Sequence, residues 1–187
     1  MEEETSQEKV INRAAEIIYD HDGISYYKAR DMARRDIGLS RKRLPHLDSI
    51  YLRLGELINR RESKEERQSQ LRQMREEALD LMSDLEEFSP KLIGSVWRGN
   101  VRKGSDIDLH TYSDNYKLIH KHLKDSHLAE PFNDHYLLKG QSKNYPVNIT
   151  VYPTRRKGET QSCNILRTPL TGFSIDELRE LLEIWKN

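Results

Sequence analysis

The sequence holds one cysteine, Cys163, which excludes an internal disulfide and a zinc site built from paired thiolates. A lone thiol fits a reducing compartment, so a cytoplasmic location is expected. Long apolar runs are missing as well, so no membrane-spanning helix and no membrane partner are expected. The acidic start, Met1 to Thr5, has no apolar segment behind it, and no signal peptide is expected. Net charge is also lacking: 31 Lys and Arg balance 31 Asp and Glu. No global field therefore draws the chain to nucleic acid, and any such contact must come from a local basic patch. Neither internal repeats nor low-complexity tracts occur. What is present is a polar chain, 35% hydrophobic and 33% charged, whose apolar residues fall in periodic groups rather than in the dilute pattern of disorder. Its 187 residues suffice for one domain, or one domain with a helical extension.

The pattern changes near Ser89-Pro90, so residues 1–89 read as a helical N-terminal region and 90–187 as a small α/β domain. The fold class predicted is α+β. Thr5 and Glu8 form the sequence of a capping box, followed by a helical stripe of Val10, Ile11, Ala14, Ile17 and Ile18. Gly23 marks its end. A second helix is predicted from Ser25 to Asp36, stopped by Gly38, and a third from Leu47 to Asn59. A fourth, long helix opens at Ser63 and Glu66 and carries Leu71, Met74, Ala78, Leu81, Met82 and Leu85; Pro90 closes it. These stripes require burial against each other, against the α/β unit or against a second copy, so a homodimer through the helical region is one expectation. In the second half, strands are predicted at Leu92-Ile93, Ser105–Tyr112, His135–Leu138 and Val147–Tyr152, with helices at Asn115–Lys124 and after Ser174, where Glu177 completes another capping box.

One run concentrates chemistry, from Gly94-Ser95 through Arg98-Gly99 and Lys103-Gly104 to Ser105-Asp106-Ile107-Asp108-Leu109-His110. On a strand, alternation places Asp106, Asp108 and His110 on one face and Ile107 and Leu109 on the other. Alternate α-carbons lie roughly 6–7 Å apart. Two carboxylates that close repel unless a cation neutralises them, and their hard oxygens suit Mg²⁺ or Mn²⁺. Two such ions can clamp the attacking and leaving oxygens of a phosphoryl displacement. Upstream, Gly94-Ser95 forms a tight turn after a short strand, where backbone N–H groups can hold phosphate oxygens. Arg98, Arg102 and Lys103 lie close in sequence and can balance phosphate charge.

Gly-Ser, then Arg-Gly, then Ser-Asp-x-Asp resembles the signature of the DNA polymerase β-like nucleotidyltransferase superfamily, in its minimal, stand-alone form. The resemblance covers the order of elements from Lys91 to about Tyr152; the helical leader lies outside it. It implies a palm-like mixed sheet in which Gly94 and Ser95 hold the triphosphate of an NTP, ATP first among them, with Arg98 and Ser105 in support. Asp106 and Asp108 would bind two Mg²⁺ ions. A third carboxylate is implied on a later strand, to complete one metal site and help deprotonate the acceptor hydroxyl. The matching position is Asn148, which departs from the pattern. An amide can ligate a metal but cannot accept a proton as a carboxylate does. Three readings stay open: a weakened or inactive relative, another acid such as Asp134 filling the gap, or an aspartate replaced by design to trap substrate.

The implied reaction moves a nucleoside monophosphate to a hydroxyl of RNA, protein or a small molecule. RNA ranks slightly first because Arg155-Arg156-Lys157 follows the Asn148 strand. His110 and Lys103 are further candidate contacts for phosphate or acceptor. The alternative is a module that binds nucleotide or RNA without transfer. More ordinary roles compete at each position: solvated acids, a plain turn at Gly94, surface charges at Arg102 and Lys103, a packing role for Trp97. His120 and His122 lack the i, i+4 spacing of a zinc pair.

Overall fold

The computed structural model describes residues 4–132 and 134–185. Its architecture is α+β, with N-terminal helices followed by a small mixed β-sheet flanked by further helices. The helices α1 (Ser6–Asp20), α2 (Tyr26–Ile37), α3 (Leu47–Arg61) and α4 (Lys64–Asp84) come first. By contacts the chain forms two compact units, one of Met1–Lys64 with Ser162–Thr168, the other of Glu65–Gln161 with Pro169–Asn187.

In the helical unit, the local signals act as the sequence implies. Thr5 caps α1 in a reciprocal box, with the Glu8 carboxylate accepting from the Thr5 N–H at 2.7 Å. Helix α1 stops at Asp20, three residues before Gly23. Ser25 caps α2, and Gly38 ends it in the left-handed conformation, φ 76°. Val10, Ala14, Ile17, Ala29, Ala33 and Ile50 bury one core shared by α1, α2 and α3. Ile165, from the returning 162–168 segment, packs onto it.

The division falls after Lys64, not at Ser89-Pro90. Helix α4 carries its stripe into the core of the α/β unit, where Leu71, Met74, Met82 and Leu85 pack with Leu92 and Ile149. Pro90 follows the turn Glu86–Phe88 and separates a helix from a strand, not one unit from another. Polar ties fix α4 further: Glu77 accepts from the Asn144 N–H at 3.1 Å, and Lys143 pairs with Asp80 at 2.7 Å.

The α/β unit continues through β1 (Lys91–Ile93), α5 (Gly94–Arg98), β2 (Ile107–Tyr112), α6 (Tyr116–His120), β3 (Lys124–Phe132), β4 (His135–Gln141), β5 (Pro146–Tyr152), a short ladder of β6 (Gln161–Ser162) with β7 (Pro169–Leu170), and α7 (Ile175–Ile184). The main sheet has the order β1-β2-β5-β4-β3, with β2 and β5 parallel and the other pairs antiparallel. The predicted helix at Asn115–Lys124 is shorter, and β3 follows where no strand is predicted. Two register shifts break β3, and as an edge strand it carries Pro131, so its sequence shows no clean alternation. On one face of the sheet Leu92, Ile107, Leu109, Val147, Ile149 and Leu138 are buried in the core. The opposite face carries the polar residues, and the site lies there. Among the described residues, no helix is long and apolar enough to cross a membrane.

Candidate active site

Register places the central residues. Along one row of the sheet, Ile93 pairs with Asp108, Asp108 with Asn148, and Asn148 with Lys139. Residues paired across a ladder share a face, so the Asp108 carboxylate, the Asn148 amide and the Lys139 stem stand side by side. Asp106 sits one residue before β2 and joins from below. The Asn148 Nδ2 donates to Asp106 Oδ2 at 2.5 Å and to Asp108 Oδ1 at 3.1 Å. The amide thus bridges the two acids, with its N–H groups where positive charge is wanted.

Gly94 closes the site from the side of β1. Its φ is 72°, and a Cβ there would lie 2.2 Å from Asp108 Oδ2. The backbone of the Gly94-Ser95 turn therefore lies directly on the carboxylate, an approach only glycine permits. The turn is anchored from α4. Arg75, 5% exposed, donates from Nε to the Val96 carbonyl and from Nη2 to the Trp97 carbonyl, both at 3.1 Å. Its guanidinium also lies over the Phe173 ring, 5.7 Å from the centroid. Sequence reading did not single out Arg75. It was readable as a lone cation on an apolar stripe, one position after Met74 and three before Ala78. Lys139 was also missed, because its place beside Asn148 depends on a pairing that local sequence does not state.

Other candidates fall into different places. Ser105 faces inward at 8% exposure, and its Oγ accepts from the Arg102 N–H at 3.0 Å. It closes the 102–105 turn that launches Asp106. Arg102, read as a surface charge, is 9% exposed and donates to the Lys103 carbonyl. Lys103 itself is exposed on that turn. Arg98 stays at the site: its charge acts on Asp108, and its guanidinium lies 5.3 Å from the Trp97 ring centroid. His110 shares the face of the acids as predicted but is 7% exposed, edge-on to Tyr152 at 5.0 Å.

Arg155 and Arg156 are not brought to the carboxylates, whereas Lys157 lines a cavity with Ile93 and His110. They follow the end of β5 at Tyr152, four residues past Asn148 and so roughly 13 Å along the strand. Arg156 is committed there to Asp134 at 2.8 Å, to Glu159 at 2.7 Å and to the Tyr152 ring. Asp134 lies at the same distant end, bound also to His135 at 3.0 Å, so it does not replace a missing acid beside Asn148.

Charge at the cluster is balanced narrowly. Burial, with the nearby Asp106 charge, pushes the Asp108 carboxyl up to about 7; the Asn148 hydrogen bond and the charges of Arg98 and Lys139 offset it in part. Burial, with the charges of His135, Arg156 and Lys91, pulls the His110 imidazole down to about 4. Two carboxylates and an amide oxygen, if Asn148 turned its oxygen inward, are hard donors that could hold one divalent cation. Among the described residues, no group of three or more His, Cys, Asp and Glu side chains is placed to do so. The two acids and the amide therefore fall one acid short of a three-carboxylate set.

These two shifts make opposite demands on stability. Folded Asp108 keeps a proton that the unfolded chain releases near pH 3.8, so its contribution falls as pH rises from there to about 7. Unfolded His110 takes up a proton near pH 6.5 that the folded chain refuses, so its contribution falls as pH drops from 6.5 toward 4. The two slopes largely cancel. Asp108→Asn removes one of them. The variant is expected to lose stability on acidification more steeply than the parent, and to exceed it above pH 7 by on the order of 2–4 kcal/mol. Metal-free thermal melts from pH 4 to 8 at fixed ionic strength check this; parallel profiles for the two proteins would refute it.

No family model matches the chain, and no match is found among curated proteins or among solved structures. The resemblance rests on the motif residues, and the geometry described above is independent of it.

Proposed function

We propose that the α/β unit is a metal-dependent nucleotidyltransferase that moves a nucleoside monophosphate from an NTP to a hydroxyl acceptor. The observation that carries this reading is the bridged cluster itself: Asp106 and Asp108 meet at one amide, directly under the Gly94 turn. An acidic pair packed against an open backbone turn is suited to a polyphosphate with its counter-ion. A bound Mg²⁺ or Mn²⁺ would polarise the phosphoryl oxygens and screen their charge.

The chain's own groups would do the rest. The Gly94-Ser95 backbone lets phosphate oxygens approach without steric cost. Arg98 and Lys139 flank Asp108 and would neutralise the triphosphate oxygens that extend beyond it. In the reaction, the acceptor oxygen bonds to the α-phosphorus and the bond from that phosphorus to the bridging oxygen breaks. Pyrophosphate leaves, and the hydroxyl proton passes to water, since Asn148 cannot take it.

Asn148 favours a second reading, a module that binds nucleotide without transfer. Loss of a general base typically forfeits about 10²–10⁴-fold in rate. Incubating the protein with labelled NTPs, Mg²⁺ or Mn²⁺ and an RNA pool separates the two. Slow transfer that disappears in Asp106→Ala supports the enzyme. Metal-dependent NTP binding without label in any acceptor supports the module, and absence of both rejects the site.

A further inference from the structure

A cavity of about 340 Å³ opens on the same face of the sheet, one step beyond the acids. Its floor is Lys91 and Ile93 of β1 with His110 and Tyr112 of β2, and its wall includes Lys157 and Thr171. Lys91 pairs with His110 in the ladder, and Ile93 with Asp108, so the cavity begins roughly 6–7 Å from the carboxylates. Its volume lies within the roughly 300–1,000 Å³ of small-ligand clefts.

Two features indicate what it takes. First, His110 is more than nine-tenths buried, yet its ring makes no hydrogen bond among the described residues, and neither does the Tyr112 phenol. Buried polar groups are normally satisfied, so the His110 ring has room for a partner that a ligand could supply, and the half-buried Tyr112 hydroxyl stands open beside it. Both are flat rings, suited to the face or edge of a heterocycle. Second, the rim carries two ammonium groups, and its one carboxylate, Glu159, is paired with Arg156 at 2.7 Å. Lys91 donates to the Thr171 carbonyl at 3.1 Å and retains two further N–H donors, and Lys157 is exposed beside it. Flat polar aromatics below and ammonium groups above match a base joined to a phosphate.

We propose that this cavity binds a nucleoside monophosphate unit, either free or as the terminal residue of an RNA strand, with the base against His110 and Tyr112 and the phosphate at Lys91 and Lys157. Its role as the acceptor subsite rests on the transfer reaction proposed above; its occupancy by a nucleotide does not.

Calorimetry on the full chain in EDTA tests it, because NTP held through a divalent cation is then silent. The probes are AMP, a short oligoribonucleotide and inorganic phosphate. The expected result is binding of AMP or the oligonucleotide, weakened at least tenfold in Lys157→Glu. Equal affinity for AMP and the oligonucleotide identifies the free nucleotide as sufficient; preference for the oligonucleotide identifies the strand terminus. Tyr112→Ala, checked for folding by circular dichroism, is expected to weaken both without changing inorganic phosphate binding. No binding of either nucleotide probe, equal binding by Lys157→Glu, or inorganic phosphate binding as tightly as AMP overturns the proposal. Binding in EDTA by a protein that ignores Mg²⁺-ATP would sink the transferase reading and leave the cavity assignment standing.

Discussion

Asn148→Asp is expected to raise nucleotidyl transfer by about 10²-fold or more, the usual worth of a general base placed within reach of the proton it removes. The position is set by register: Asn148 pairs with Asp108 in the parallel ladder and its Nδ2 already touches both acids. An aspartate there needs no backbone movement to complete a three-carboxylate site. The same substitution carries an opposite effect on the metal-free protein. It removes two hydrogen bonds to carboxylates, each worth about 1.5–3 kcal/mol, and sets a third negative charge among two. Without divalent cations the variant is expected to melt well below the parent at pH 8. With Mn²⁺ or Mg²⁺ it is expected to recover and to show tighter metal binding than the parent. Melting curves with and without metal, alongside the labelled-NTP assay, read both halves. A variant that loses stability without metal, gains nothing with it and transfers no faster would remove the catalytic interpretation of the cluster.

How much of this was readable beforehand divides along the range of the interactions. Local signals held: the Thr5–Glu8 and Ser174–Glu177 boxes, the Gly38 cap and the alternation of Ile107 to Tyr112 are each fixed by residues within one turn or strand of themselves. The shared face of Asp106 and Asp108 was legible too, from alternation along the strand, whereas their meeting with Asn148 was only an implication of the family resemblance. Long-range pairing was not. Lys139 joins the row only because β4 pairs with β5 in one register, and Asp134 is carried to the far end by that same register. Helix α4 shows the same limit at a larger scale: its stripe announces burial but not against which unit, and Pro90 invites a boundary that the packing places after Lys64. Ser105 and Arg102 show a further limit: neither residue type nor position announces that the Ser105 hydroxyl accepts from the Arg102 N–H in a four-residue turn, or that Arg102 is buried there.

Gly94→Ala is expected to abolish metal-dependent nucleotide binding and transfer, and Gly99→Ala to leave both measurable. The two glycines end the same short helix, α5, and have nearly the same backbone, φ 72° and 78°. Each alanine bears the left-handed strain of an L-residue, roughly 1–2 kcal/mol. The surroundings differ. At Gly99 the nearest atoms to a new methyl are Leu71 Cδ2 at 3.6 Å and Arg75 Nη2 at 3.7 Å, ordinary contacts. At Gly94 the methyl would meet Asp108 at Oδ2, 2.2 Å, and at Cβ and Cγ, both 2.9 Å. A carboxylate can rotate away, but its Cβ is fixed to β2, so either the strand pairing of Ile93 with Asp108 yields or the turn lifts off the acids. Both outcomes separate the Gly94-Ser95 backbone from the carboxylate it lies against. Subtracting the Gly99→Ala melt from the Gly94→Ala melt isolates the clash from the strain, and titration of Mg²⁺-ATP into both reports the site. If Gly94→Ala binds Mg²⁺-ATP as the parent does, the turn and the acids are neighbours without a shared ligand.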